Sequence, residues 1–409
     1  MMTGSASATP RFPRFVFLLQ LMDMISLSLV LPVLPALVGE LAGTGASVYF
    51  WYGVATFAFA VCFFFSAAVM GKLSDRFGRR PLMIVNCAGL ALGNFLCAMA
   101  PGLAVLIAGR ALCGLSSANI PLAQAYVADR SASTERGRAF GLLGAMQGLG
   151  FIIGPMIGGY LGSGDLQIPF FAAALFTLAG GVAAVFLLRE SLSRQRRQWN
   201  SGGLHPLAAL AQLRRLPGFG PLVPAVALVM LAANIVIISW VPYATVRFGW
   251  DTAQNGWGLF AFGLSAMLSQ GLFFPHAVKK FPVRLVCLAG LFSLAAAYLA
   301  FGLAERGWMV FVFMAANLAG YSALVAFQTL ASDGADEQSQ GATMGGLQAL
   351  SNLALIVAPG FTAALLMAMA CFPASDWRTG LPLYFCAALV GGALVLAARQ
   401  LASPDPLEG

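Results

Sequence analysis

Gly71-Lys72-Leu73-Ser74-Asp75-Arg76-Phe77-Gly78-Arg79-Arg80-Pro81 places five charged side chains within eleven residues, yet apolar runs flank it on both sides, at 49–71 and 81–100. A helix needs about 20 apolar residues to cross the hydrocarbon core of a bilayer. A short polar stretch between two such runs therefore reads as a turn at a membrane surface, joining two spanning helices.

The same pattern extends in both directions. Further apolar runs occupy 15–41, 103–128, 138–162, 168–188, 221–244, 253–275, 282–303, 307–330, 341–368 and 380–399. The chain of 409 residues is 59% hydrophobic and 9% charged, with a mean hydropathy of +0.83, so it has too little polar surface to clothe a water-soluble globule. An all-α membrane protein with twelve transmembrane helices is expected. The run at 15–41 lacks a small-residue cleavage site before its end and is expected to be a retained helix rather than a signal peptide.

The net charge of +8 follows topology and does not point to nucleic acid. Alternating the loops between two sides gathers nineteen of the 23 basic residues on one side, while Arg247, Arg306 and Arg378 fall on the other and Arg110 lies within a span. The basic side is expected to be cytoplasmic, with both termini there. The seven cysteines show no CxxC spacing, and His205 and His276 stand far apart. Neither a metal site nor a cofactor is expected, and nothing supplies a nucleophile with a base.

Sliding the chain on itself by 204 residues pairs Gln124 with Gln328, Asp129 with Asp333, Gly137 with Gly341, Gly141 with Gly345 and Pro155 with Pro359. The same offset lays Phe77 on Phe281 and Arg80 on Arg284. A six-span repeat predicts two pseudo-symmetric six-helix bundles of parallel orientation around a midline site. The expected division is 1–190, a cytoplasmic linker at 191–220 rich in Arg, Gly and Pro, and 221–409.

Several residues carry chemistry. In the opening stretch, Gly71 and Gly78 permit a tight turn and close helix approach, and Asp75 among Arg76, Arg79 and Arg80 can exchange partners. At the offset of 204, Asp75 is matched by Lys279, so any switch of this kind is one-sided. Span five carries Gly150, Gly154, Pro155, Gly158 and Gly159: small residues four apart let backbones meet, and the proline bends the helix or tightens a seal. Span one buries Asp23 ahead of Pro32 and Pro35. An ionised carboxylate there costs on the order of 3 kcal/mol, which makes Asp23 the first candidate to load and release a proton. Arg110, in span four, is the second intramembrane charge and invites pairing with Asp23. Polar and aromatic candidates for a central cavity are Asn94, Asn119, Gln124, Gln147, Asn234, Trp240, Tyr243, Gln328, Gln348 and Asn352, since amides within a bilayer must face protein or water.

The G-x-x-x-D-R-x-G-R-R pattern of Gly71–Arg80 resembles that of the major facilitator superfamily. The span-five glycines are similar to its antiporter signature, and Arg110 to its span-four arginine motif. Asp75-Arg-Phe-Gly-Arg-Arg-Pro81, Ala128-Asp129, Phe140-Gly141, Gly148-Leu-Gly150, Arg247-Phe-Gly-Trp-Asp251, Arg306-Gly-Trp-Met309 and Gln340-Gly341 resemble the tetracycline-efflux branch of the drug/proton antiporters. The resemblance implies the major facilitator fold in a bacterial inner membrane, with Asp75 latching the cytoplasmic side and Arg110 moving protons or anchoring. It also implies a monomer that exports a small amphiphilic molecule against protons. The sequence departs from that branch at two acids: the span-three acid falls on Asn94, and the ninth span has none. Tetracycline itself is therefore not implied, and transport of one physiological metabolite such as a siderophore is the alternative.

Overall fold

A computed structural model describes residues 14–43, 45–131, 135–192, 211, 213–216, 219–335 and 340–401. Among them, ten helices are long and apolar enough to cross a membrane, and two bent pairs bring the number to twelve. Span one is Arg14–Leu29 with Leu34–Ala42, span two Ala46–Phe77, span three Arg79–Ala98, span four Leu103–Leu115 with Asn119–Arg130, span five Arg136–Gly162 and span six Ile168–Leu187. Span seven is Gly220–Phe248, span eight Thr252–Lys280, span nine Val283–Leu303, span ten Gly307–Ala316 with Leu318–Asp333, span eleven Gln340–Met369 and span twelve Trp377–Leu401. The expected linker at 191–220 falls mainly outside the described residues.

Local chemistry accounts for most of the interruptions. Span one bends by 41° where Pro32 occupies the turn and Pro35 enters the first turn of the second segment, a position that needs no backbone donor. Span two runs on to Phe77 instead of stopping at residue 71, and Gly78 alone separates it from span three, at φ 105°. Only glycine adopts that backbone without strain. Span ten bends by 63° with no proline at the break. The Asn317 side chain there accepts from Ser293 Oγ at 2.9 Å, and Ser269, which begins a π-helical turn over Ser269–Phe273 in span eight, donates to the Leu318 carbonyl.

The two sets of six spans meet along two seams, span five on span eight and span two on span eleven. These seams exchange under the 204-residue repeat, which maps span two onto eight and five onto eleven. At the end remote from Gly78, the seams are tight. A β-carbon on Gly159 would strike the Thr252 carbonyl and stand 2.9 Å from Gly256 Cα, and one on Gly53 of span two would strike Ala363 of span eleven; the Tyr52 hydroxyl also donates across to the Ile238 carbonyl of span seven at 2.9 Å. Toward the Gly78 end they part: Gly137, Gly141, Gly144 and Gly148 of span five and Gly341 and Gly345 of span eleven face open space.

Candidate functional site

Between the seams lies a cavity of about 820 Å³, within the range of roughly 300–1,000 Å³ typical of small-molecule sites. Span five contributes Gln147 and Phe151, span seven Trp240, span eight Phe262 and Gln270, span nine Tyr298 and span ten Tyr321, with Met24 of span one closing one side. Its aromatic wall is continuous. Phe262 stands edge-on to Trp240 at 5.4 Å between ring centroids and to Tyr321 at 5.6 Å.

Of the ten residues proposed for the cavity from sequence, Gln147 and Trp240 line it. Asn94 lies buried between spans three and four, where Cys113 Sγ approaches its Oδ1 at 3.7 Å. Tyr243 donates to the Phe301 carbonyl at 2.7 Å and Asn234 to the Met230 carbonyl at 2.8 Å. Gln348 donates to Asn352 at 3.0 Å on span eleven. Gln124 and Gln328 are exposed. Phe262, Gln270, Tyr298 and Tyr321 were not foreseen, because a helix that is apolar all round gives no sign of which side faces a cavity.

Asp23, 7% exposed, stands in span one just ahead of the cavity-lining Met24 but faces the interior of the first bundle, toward spans three and four. Its Oδ1 accepts from Asn119 Nδ2 at 3.0 Å, and the same nitrogen approaches Cys87 Sγ at 3.7 Å. The anticipated Asp23–Arg110 pair does not form. Asn119 lies nine residues farther along span four than Arg110, a displacement of about 13 Å at 1.5 Å per residue, so Arg110 stands at another depth. Its guanidinium lies over the Phe59 ring at 4.6 Å, and its Nε has no hydrogen-bond partner among the described residues.

The span-five glycines seat that helix on span one. A β-carbon at Gly154 would strike Ser28, and one at Gly158 the Leu29 carbonyl, while Ser28 Oγ donates to the Gly150 carbonyl at 3.0 Å. Gly159 turns the other way, onto span eight, with the Pro155 carbonyl facing Gly256. One stripe of small residues thus serves both an intra-bundle contact and the seam between bundles.

At the open end Asp75 Oδ1 meets Arg79 Nη2 at 2.6 Å, and Arg79 Nε reaches Asp129 at 3.4 Å. The Arg79 amide donates to Glu190 Oε1 at 2.9 Å, and Arg80 donates to the Val185 carbonyl. Each of these bonds joins residues of the first half of the chain, up to Glu190. Gly71 is inside a helix with nothing within 4 Å of a notional β-carbon, so the close approach expected of it is absent from this arrangement.

The chain resembles known proteins at the level of sequence and of fold. The class C tetracycline resistance protein of Escherichia coli is 32% identical over 89% of this chain and 92% of its own length. The class B protein of the same organism is 29% identical over 85% and 86%. Multidrug resistance protein 2 of Bacillus subtilis is 32% identical over 42% of each chain. A bacterial homologue of the human lysosomal transporter Spinster, solved in an inward-facing, unoccupied conformation, superposes with a TM-score of 0.78 over 98% of this chain and 100% of its own, at 17% identity. The family model of the Major Facilitator Superfamily matches residues 16–359. The chain is a multi-pass membrane protein of the Major Facilitator Superfamily, a transporter related to the tetracycline and multidrug efflux proteins and not an enzyme.

Proposed function

We propose that the protein is a drug/proton antiporter that expels a small amphiphilic molecule across a bacterial inner membrane by alternating access. The observation that carries this reading is Asp23, an acid buried within span one, adjacent in sequence to the cavity-lining Met24 and bonded to Asn119. A group so placed senses whether the cavity is wet, because water entering it lowers the cost of ionisation. Protonation from outside and release inside then tie proton movement to each passage. A charge crossing the membrane gains about 2.3 kcal/mol per 100 mV.

In this reading the basic end bearing Gly78 faces the cytoplasm, with both termini on that side, and the present arrangement is the state open inward. Halves 1–190 and 221–409 rock about the seams at Gly159–Gly256 and Gly53–Ala363. Closing the inner side would bring Gly71 and Asp75 against the second half, so that Asp75 exchanges Arg79 for a partner across the seam. The similarity to tetracycline resistance proteins supports export as the direction.

Everted membrane vesicles acidified inside provide the test. Wild-type protein should accumulate its cargo and Asp23→Asn should not; unchanged accumulation by the variant would remove Asp23 from the mechanism.

A further inference from the structure

A second cavity, of about 790 Å³, lies at the Gly78 end between spans one and five. Phe17, Leu18 and Leu21 of span one and Leu142 and Met146 of span five wall it. Gly141 gives it depth, since a β-carbon there would meet nothing within 4 Å. Leu18 and Leu142 remain 49% and 40% exposed. Water filling so apolar a groove is costly, and an occupant with a hydrocarbon chain removes that cost.

One charge stands in this lining, Arg138, and no acidic residue accompanies it among the described lining residues. The Arg138 side chain is exposed and makes no hydrogen bond or ion pair among the described residues. Arg79 and Arg80, at the same end of the molecule, are instead held by Asp75, Asp129 and the Val185 carbonyl. Arg138 is the third residue of span five, at the membrane surface. Met146 lies eight residues deeper, about 12 Å at 1.5 Å per residue. Half of a hydrocarbon core about 30 Å thick is about 15 Å, so the groove runs from the surface through most of one leaflet. A head group at Arg138 with a tail laid toward Met146 matches a phospholipid of that leaflet, and the free guanidinium selects an anionic one.

We infer that this groove is a binding site for an anionic phospholipid, with its phosphate on Arg138 and one acyl chain between spans one and five. Gly141 and Ala145 line both the groove and the central cavity, so the tail borders the transport pathway. Closing the inner side would carry the open glycine face of span five against the second half, and a lipid lying there therefore favours the inward-open arrangement. That consequence, and the naming of the leaflet as the inner one, rest on the function proposed above; the site itself does not.

Native mass spectrometry of the purified full-length protein in detergent, titrated with phosphatidylglycerol or with phosphatidylcholine of the same chains, tests the site. Wild-type protein should retain one tightly held phosphatidylglycerol and about fivefold less phosphatidylcholine. Arg138→Gln should lower phosphatidylglycerol occupancy about fivefold. Arg136→Gln removes a cation from the same turn but outside the groove, and should leave occupancy unchanged. Gly141→Leu, which the open space accommodates, should lower occupancy by filling the groove with the cation intact. Equal retention of the two lipids, equal losses in Arg136→Gln and Arg138→Gln, or full occupancy in Gly141→Leu overturns the inference. Asp23→Asn should hold the lipid as wild type does, so unchanged proton-driven flux in that variant would sink the coupling reading and leave the lipid site standing.

Discussion

Asn119 and Asp23 form a 3.0 Å hydrogen bond that joins the second segment of span four to the middle of span one. The short break at Ser116–Ala118 is what brings Asn119 to that place: the helix restarts there, and the side chain of its first residue turns inward beside Cys87. A buried carboxylate is therefore held by a neutral donor, while the intramembrane cation of the same span stacks on Phe59 at a different depth.

Removing the donor should impair coupling more than folding. A hydrogen bond to a charged group contributes about 1.5–3 kcal/mol, so Asn119→Leu is expected to cut proton-driven flux in vesicles about tenfold or more, while the protein still inserts and purifies. Asn119→Gln, which keeps an amide, should recover part of the loss. Equal flux in Asn119→Leu and wild type would show that the bond does not serve the proton.

The Asp75–Arg79 pair separates a structural role from a gating one. It is an i,i+4 contact with the Asp75 side chain 45% exposed, and exposed pairs contribute about 0–1 kcal/mol. Asp75→Asn should accordingly leave the melting temperature within about 2 °C of wild type. Flux should nevertheless fall more than tenfold if, as proposed, the carboxylate changes partner when the inner side closes. A variant that loses stability and flux in proportion would reduce Asp75 to a helix-end contact.

Much of this was legible in the sequence, and what was not has an identifiable cause. The spans, the 204-residue repeat, the turn at Gly78 and the packing of Gly154 and Gly158 follow from composition, spacing and the steric freedom of glycine. The π-helical turn at Ser269–Phe273 does as well, since Pro275 just beyond it has no N–H for the Gly271 carbonyl. The break at Asn317 does not, because no proline marks it and it involves Ser293 reaching Asn317 across helices. The cavity membership of Tyr298 and Tyr321 was hidden for a related reason. In a chain whose lipid-facing and protein-facing sides are both apolar, amphipathic periodicity fades, and polar residues such as Asn94 and Tyr243 serve packing rather than the cavity.

The seam at the sealed end gives a conformational prediction. A side chain at Gly159 cannot coexist with the approach of Thr252 and Gly256, so Gly159→Val should wedge spans five and eight apart there. Phe151, on the same span, lines the cavity of about 820 Å³ beyond that seal. In a background lacking the native cysteines, Phe151→Cys should react with a membrane-impermeant thiol reagent added from the sealed side several times faster when combined with Gly159→Val. Identical labelling with and without the wedge would mean that this contact does not close the passage.

Arg247 is the residue whose structural weight the sequence concealed, since it read as one of three cations on the sparsely basic side and as part of the Arg247–Asp251 resemblance, with no bonding role assigned. Its Nε donates to the Ala304 carbonyl at 3.0 Å, and Nη1 to the carbonyls of Ala374 at 2.8 Å and Asp376 at 3.0 Å. One guanidinium thus ties the end of span seven to the loops after spans nine and eleven. Arg247→Met leaves those carbonyls without a charged donor and should lower the melting temperature by about 5 °C or more. Arg247→Lys should not restore it, because a compact ammonium lacks the planar fork that reaches separate acceptors. The neighbouring Asp376 adds a pH signature: Arg378 hydrogen bonds hold its carboxyl below the ordinary carboxylate range. A group depressed in the folded state contributes stability above its unfolded value and loses it as pH falls through the folded one. The gap in melting temperature between wild type and Asp376→Asn should therefore be widest at neutral pH and close on acidification below the usual carboxylate range; a gap that widens in acid would contradict the assignment of Asp376 as the anchor of Arg378.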